Sequence, residues 1–194
     1  MTYRRLASKR EQGSFSAYQG YFSAISGKIG EEVFSELKNL CVWNKTNGGM
    51  GTFYRSKHEL IFVFKVGAAP HVNTFGLGET GRYRTNVWDY AGVNTFRAGR
   101  LDDLELHPTV KPVDLVADAI KDCSRRGAIV LDPFGGSGTT IVAAQKSGRC
   151  ARLIEYDPAY CDVILRRFEA VTGACALPER GERGPSPLLP APHP

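Results

Sequence analysis

Val130-Leu131-Asp132-Pro133-Phe134-Gly135-Gly136-Ser137-Gly138-Thr139-Thr140 sets the architecture of this chain. Ala128 to Leu131 is predicted to be a short buried-type strand that ends where Asp132 and Pro133 cannot continue it. Gly135, Gly136 and Gly138 permit positive φ and leave no side chain where a ligand must approach the backbone. Thr139 and Thr140 open a helix through Gln145, whose first N–H groups favour electronegative ligand atoms. Such a turn lies beyond the carboxyl end of a parallel strand, where open α/β sheets bind ligands. Glycine-rich turns also join strands to helices for purely steric reasons.

Downstream, Arg149 to Ile154 reads as a second strand that delivers Glu155 at its carboxyl end. An acid there can accept hydrogen bonds from both hydroxyls of a ribose, as in dinucleotide folds, or it can simply be solvated. The separation of Asp132 and Glu155 suits one βαβ unit, in which roughly 20 residues lie between the glycine turn and the acid.

His107-Pro108-Thr109-Val110-Lys111-Pro112, a helix, the glycine turn and then Ile154-Glu155-Tyr156-Asp157-Pro158 follow in the order of the permuted DNA adenine-N6 or cytosine-N4 methyltransferases, which this sequence resembles from about Val33 to Gly173. The resemblance implies an α/β, doubly wound, Rossmann-like fold that uses S-adenosylmethionine. The cofactor-binding residues it implies are His107, Thr109, Lys111, Asp132, Pro133, Phe134, Gly136, Ser137, Gly138, Thr139 and Glu155. Glu155 would hold the ribose, and the segment from His107 to Lys111 would pack against the methionine end. His107 and Lys111 also suit a polar N-terminal cap on an amphipathic helix from Val113 to Cys123, whose buried face would carry Val113, Val116, Ala117 and Ile120.

The same resemblance divides the chain into an atypical segment 1–32, a methyltransferase domain 33–173 and a Pro-rich tail 174–194 that is expected to be disordered. Within the domain, 106–173 is the cofactor-binding half. Lys38–Lys45 and His58–Val66 look like the last two strands of the family's sheet. Residues 68–105 take the place of the target-recognition region. Arg82, Arg84, Asn86 and Trp88 there suit phosphate contact and stacking on double-stranded DNA, and equally a loop packed on a sheet.

Relatives carry a catalytic tetrapeptide, Asp, Asn or Ser followed by Pro-Pro and an aromatic residue, which would precede Val33 here. Residues 1–32 contain none and show no sustained strand run, so no catalytic residue is assigned. Asp157-Pro158-Ala159-Tyr160 differs from the tetrapeptide at one place, but its position suits the start of a helix, with Asp157 as N-cap and Pro158 at the first helical position. The expected sheet is therefore incomplete, with an unpaired apolar edge at Leu131 and a hairpin that lacks a neighbour. Two accounts fit: a remnant of a longer methyltransferase, inactive by itself, or one half of a split enzyme whose partner chain supplies the catalytic strand. The implied reaction is methylation of an exocyclic amine in DNA, adenine N6 before cytosine N4, as in restriction–modification systems.

Composition agrees with this reading. A formal charge of +5 and a pI near 9.0 on 194 residues suit a polyanionic partner. The five cysteines, 41, 123, 150, 161 and 175, form no C-x-x-C pair, and the four histidines show no ligand spacing, so reduced thiols, a cytoplasmic location and no metal are expected. The apolar runs are strand-sized, so no membrane span is expected.

Overall fold

The computed structural model describes residues 14–18, 29–49, 53–76, 78, 79, 81–92 and 110–177. Among them the chain forms β1 (Ser14–Tyr18), β2 (Glu36–Asn44), β3 (His58–Lys65), β4 (Val87–Asp89), α1 (Val113–Cys123), β5 (Ile129–Asp132), α2 (Thr139–Ser147), β6 (Cys150–Leu153) and α3 (Pro158–Thr172). The strands make two sheets, one ordered β1-β3-β2-β4 and one of β5 and β6 alone.

β2 and β3 form the expected antiparallel hairpin, with Cys41 opposite Ile61 and Trp43 opposite Glu59. Period-two alternation directs Cys41 and Trp43 from β2, and Ile61 and Phe64 from β3, into the interior. Two strands were not legible beforehand. β4 lies within the stretch assigned to target recognition and pairs in parallel with β2, Trp43 beside Trp88. Three residues are too few to show alternation; what makes them a strand is Trp88, 6% exposed, whose indole N–H donates to Thr85 O at 2.8 Å. β1 corrects the expectation of no strand in residues 1–32. Ser-Phe-Ser-Ala-Tyr is a weak pattern, but the outer edge of β3 offers unpaired backbone groups, and β1 takes them with Phe15 opposite Phe64. The hairpin therefore has a neighbour on each side.

The other expectation of a bare edge holds among the described residues. β5 pairs in parallel with β6 from Ile129↔Cys150 to Asp132↔Leu153 and with no other strand. Ile129 and Leu131 remain 54% and 46% exposed.

α1 joins the two sheets. Leu115 and Ala119 pack with Cys41, Trp43, Ile61 and Trp88, whereas Ala117 and Ile120 pack with Ala143 and Ala144 of α2. Val116 touches both clusters. The helix has the predicted boundaries, but its apolar surface is wider than the predicted stripe, because Leu115 and Ala119 are buried as well. A helix held between two layers needs apolar residues on two sides. α3 begins as anticipated, with the Asp157 side chain accepting the Ala159 N–H at 2.9 Å and Pro158 in the first turn. Asp157 thus caps a helix.

Leu115 is fully buried at the joint. Leu115→Ala is expected to cost about 2–5 kcal/mol, read from the midpoint of urea unfolding; an unchanged midpoint would show that α1 does not carry the joint.

Candidate functional site

Backbone pairing continues past the ends of β5 and β6 and draws their two acids together. Ile154 N–H donates to Asp132 O at 2.9 Å, and Gly135 N–H to Ile154 O at 3.0 Å. Asp132 Oδ1 accepts the Phe134 N–H at 3.0 Å, and Oδ2 accepts the Thr140 hydroxyl at 2.6 Å, so this carboxylate ties the strand end to the first turn of α2. Gly136, at φ 51°, donates its N–H to Glu155 Oε2 at 2.7 Å, and Glu155 Oε1 accepts the Asp157 N–H at 2.9 Å. Asp132, the glycine turn and Glu155 therefore form one hydrogen-bonded rim at the carboxyl ends of two adjacent parallel strands. Phe134 and Tyr156 stand exposed on that rim, beside Asp132 and Glu155 respectively.

The glycines divide the labour. A Cβ at Gly135 would lie 3.0 Å from Ile164 Cδ1, and one at Gly138 would lie 3.2 Å from Ile164 Cγ1 and 3.3 Å from its Cα. These two positions let α3 press against the turn. Gly138 also caps α2 in the left-handed region, at φ 75°. Ser137 and Thr139 are buried, and the Arg167 guanidinium of α3 donates to Ser137 O, Ser137 Oγ and Thr139 Oγ1 at 2.9, 3.2 and 3.1 Å.

Of the preceding motif, His107 and Thr109 lie outside the described residues. Lys111 sits just before α1, and its carbonyl lies 3.4 Å from the Thr139 hydroxyl that donates to it. Its ammonium pairs with Glu59 Oε2 at 2.7 Å, while Lys45 pairs with Glu59 Oε1 at 2.5 Å. Both ammonium groups stand over Trp43, 4.8 and 5.6 Å from the ring centroid. Burial alone would raise the Glu59 pKa, but the bonds from Lys111 and Lys45 outweigh it and hold the carboxyl below its usual range. This chain of contacts also aligns the sheets. Glu59, near the start of β3, lies beside the carboxyl end of β2, and through Lys111 and Thr139 it reaches the glycine turn, which brings the carboxyl end of β2 toward that turn.

The four residues proposed to meet DNA are engaged elsewhere. Arg82 pairs with Asp122 at 2.7 Å, and Arg84 Nε donates to Asp122 Oδ2 at 3.0 Å while its guanidinium lies 4.8 Å from the Trp88 ring centroid. Tyr90 donates to Asp118 Oδ2 at 2.5 Å, and Asn86 Nδ2 to Leu40 O at 3.4 Å. These side chains fasten the segment around β4 to α1 and β2. Burial raises the Asp122 pKa despite both arginines, and pushes the Tyr90 hydroxyl up to about 12. Burial likewise raises the Cys41 and Cys123 thiols to about 11, which leaves them neutral. No group of three potential metal ligands occurs among the described residues, and no helix there is long and apolar enough to cross a membrane.

Sequence reasoning missed Glu59, Arg167 and Tyr156. Arg167 and Glu59 carry no local signal, since their partners lie 30 and 52 residues away. Tyr156 stood next to Glu155 and could have been found from that adjacency.

Gly138→Ala combines a left-handed φ with a clash against α3, and is expected to destabilise the fold by about 1–3 kcal/mol, read from chemical unfolding. The acid side of the stability profile tests the Glu59 clamp. A carboxyl whose folded pKa is depressed stabilises above its unfolded value, about 4.3, and loses that contribution as pH falls through the folded value. Asp118 is lowered likewise, whereas Asp122, raised by burial, acts in the opposite sense. The melting temperature is expected to fall below about pH 4, and Glu59→Gln to flatten part of that fall; identical acid limbs would refute the clamp.

A family model described as DNA methylase, of the N6 and N4 methyltransferases, matches residues 10–166, beginning inside the segment read as atypical. Type II methyltransferase M.ScaI of Streptomyces caespitosus is 37% identical over 90 residues, 46% of this chain and 30% of that protein. DNA adenine methyltransferase YhdJ of Escherichia coli is 41% identical over 87 residues, 45% of this chain and 28% of that protein. M.HpaI of Haemophilus parainfluenzae is 26% identical across 92% of this chain and 61% of its own length. The chain thus spans less than two thirds of these relatives. Among solved structures, the M1.HpyAVI–SAM complex superposes with a TM-score of 0.65 at 24% identity, covering 80% of this chain and 74% of that one. The cytosine-N4-specific PvuII methyltransferase gives 0.61 at 19%, covering 80% and 64%. Fold and sequence agree: the chain belongs to the DNA methylase family of N6 and N4 methyltransferases.

Proposed function

We propose that this chain binds S-adenosylmethionine on the rim formed by Asp132, the glycine turn and Glu155, and serves methylation of an exocyclic amine in double-stranded DNA. The observation that carries the reading is the convergence of Asp132 and Glu155 on one glycine turn at the carboxyl ends of adjacent parallel strands. The residues present suit the cofactor. Glu155 accepts the Gly136 N–H on Oε2 and the Asp157 N–H on Oε1, and an ionised carboxylate, an acceptor on both oxygens, is the type of group that suits a ribose hydroxyl. Phe134 and Tyr156 offer exposed rings to an adenine. The backbone of Pro133, Gly136, Ser137, Gly138 and Thr139 lines the turn, and Arg167 holds that turn from behind. His107, Thr109 and Lys111 are assigned to the methionine end by resemblance; Lys111 pairs with Glu59.

When bound, the cofactor would supply a methyl group on a sulfonium already activated for departure. This chain's residues bind and orient; none is assigned to draw the amine into attack. A second reading places that task on another polypeptide, which would add a strand to the free side of β5. It is favoured by the edge of β5, which pairs with β6 and with no other strand among the described residues.

Calorimetric titration with S-adenosylmethionine tests the cofactor reading. Wild type is expected to saturate, and Asp132→Ala and Glu155→Gln each to weaken binding about tenfold. A folded wild type that does not bind, or equal affinity in all three proteins, would sink the reading. Transfer of radiolabelled methyl to unmethylated duplex DNA by the chain alone would sink the second reading.

A further inference from the structure

The amino ends of β5 and β6 form an edge of their own, opposite the cofactor rim. Each strand is four residues long, so this edge lies about 13 Å from the carboxyl ends. The loops that enter the two strands are tied together: Gly127 N–H donates to Gly148 O at 2.8 Å, and Cys150 N–H to Ala128 O at 3.0 Å. They carry Arg125, Arg126 and Arg149, and Lys146 stands in the last turn of α2 beside them. The Arg126 guanidinium lies over Gly148, where an added Cβ would be 2.8 Å from its Cζ and 3.0 Å from its Nη1. Arg149 is anchored by donating to Ser124 Oγ at 3.2 Å, to Ser124 O at 2.6 Å and to Ser147 O.

Helix ends account for only part of this charge. α1 and α2 both finish at this edge, and the carbonyls at a helix C-terminus favour cations. Arg149 answers that need at Ser124 and Ser147. Arg125, Arg126 and Lys146 are exposed and make no ion pair among the described residues. Asp122, the acid in the last turn of α1, is taken by Arg82 at 2.7 Å and Arg84 at 3.0 Å. Partial burial and the charges of Arg126 and Arg82 lower the Arg149 pKa, the direction expected of guanidinium groups crowded together. Like charges held together by the fold repel one another, and a bound polyanion removes that repulsion.

We propose that this amino-terminal edge, through Arg125, Arg126, Lys146 and Arg149, binds the phosphate backbone of duplex DNA at a site separate from the cofactor rim. Guanidinium forks match phosphate oxygens, and contacts to phosphate alone carry no sequence information. DNA is favoured over an acidic protein because the chain belongs to a DNA methylase family and carries a formal charge of +5. That choice rests on the DNA methylation reading; the cation cluster itself does not. The stretch of duplex held here is not the stretch whose base faces the cofactor, since the rim lies at the other end of the strands. A second grip of this kind keeps the chain on the polymer, so that the next encounter at the rim is intramolecular.

The test is fluorescence anisotropy with a labelled duplex of arbitrary sequence at several salt concentrations, beside calorimetric titration with S-adenosylmethionine. Arg125→Gln/Arg126→Gln is expected to reduce the slope of log affinity against log salt by about 2, and Arg125→Gln/Lys146→Gln to do the same. The second variant removes only exposed, unpaired side chains and guards against a folding defect in the first. Arg125→Lys/Arg126→Lys is expected to keep the wild-type slope. Arg166→Gln, which removes an exposed charge of α3, is the control and is expected to leave the slope unchanged. Cofactor affinity is expected to match wild type in every variant. Equal slopes in wild type and both glutamine variants, or no DNA binding by wild type, would overturn the proposal and leave the cofactor reading standing. Polyglutamate binding that depends on these residues while DNA binding does not would assign the edge to an acidic protein and overturn the DNA assignment. A wild type that binds DNA through these residues without binding S-adenosylmethionine would support the proposal and sink the cofactor reading.

Discussion

The structure depends on the burial of α1 on two opposite sides. The two sheets share no strand pair among the described residues, so what unites the hairpin layer with the β5–β6 layer is side-chain packing on this one helix. Leu115 and Ala119 face one cluster, Ala117 and Ile120 the other, and Val116 touches both. Apolar contacts of this kind are non-directional and scale with area. They set the distance between the layers without setting the rotation of one upon the other, and that orientation must come from polar contacts.

Those polar contacts sit at the two ends of α1, and their signs are instructive. A helix favours anions near its N-terminus and cations near its C-terminus. Lys111 lies just before the N-terminus and Asp122 in the last turn, so each of these two charges opposes the helix macrodipole, while Asp118 sits at mid-helix. Each is offset by a group from the hairpin side: Glu59 takes Lys111, Arg82 and Arg84 take Asp122, and the Tyr90 hydroxyl donates to Asp118. Separated from that layer, the helix would lose these partners of Lys111 and Asp122, while Asp118 would keep Lys121 of the same helix. Mutual electrostatic dependence therefore fixes how the layers sit, and it carries the carboxyl end of β2 toward the glycine turn.

What was legible beforehand follows from the range of the forces involved. The βαβ unit around Asp132 and Glu155, the hairpin and the helices α1, α2 and α3 are local patterns of alternation, capping and turn chemistry, and their limits came within a few residues. The joining role of α1 was half visible, because the sequence shows its apolar residues without showing that two layers compete for them. β1 and β4 were missed because each is made a strand by its neighbour: five weakly patterned residues completed by the edge of β3, and three residues fixed by the burial of Trp88. The intramolecular partners of the suspected DNA contacts were hidden for a related reason. Arg82, Arg84 and Trp88 have the composition of a nucleic-acid surface, but Asp122, which pairs with both arginines, lies 38 residues beyond Arg84, and no local pattern announces that they will meet.

The free side of β5 completes the physical picture. A strand of a parallel sheet is ordinarily covered on both faces and paired on both edges. Here Val130 and Ala151 are covered by α1 and α2, while Ile129 and Leu131 point to the opposite face and stay exposed. α3 does not cover them; its buried residue, Ile164, is spent on the glycine turn. The backbone bonds that shape the rim run to β6 and to Asp132 itself, and none of them reaches across the free edge. Among the described residues these bonds hold the rim from the α2, β6 and α3 side. Cofactor affinity and the fate of the open edge are separable properties of this fold: a strand added beside β5 would pair its free backbone edge without requiring Asp132, Gly136 or Glu155 to change the partners named above.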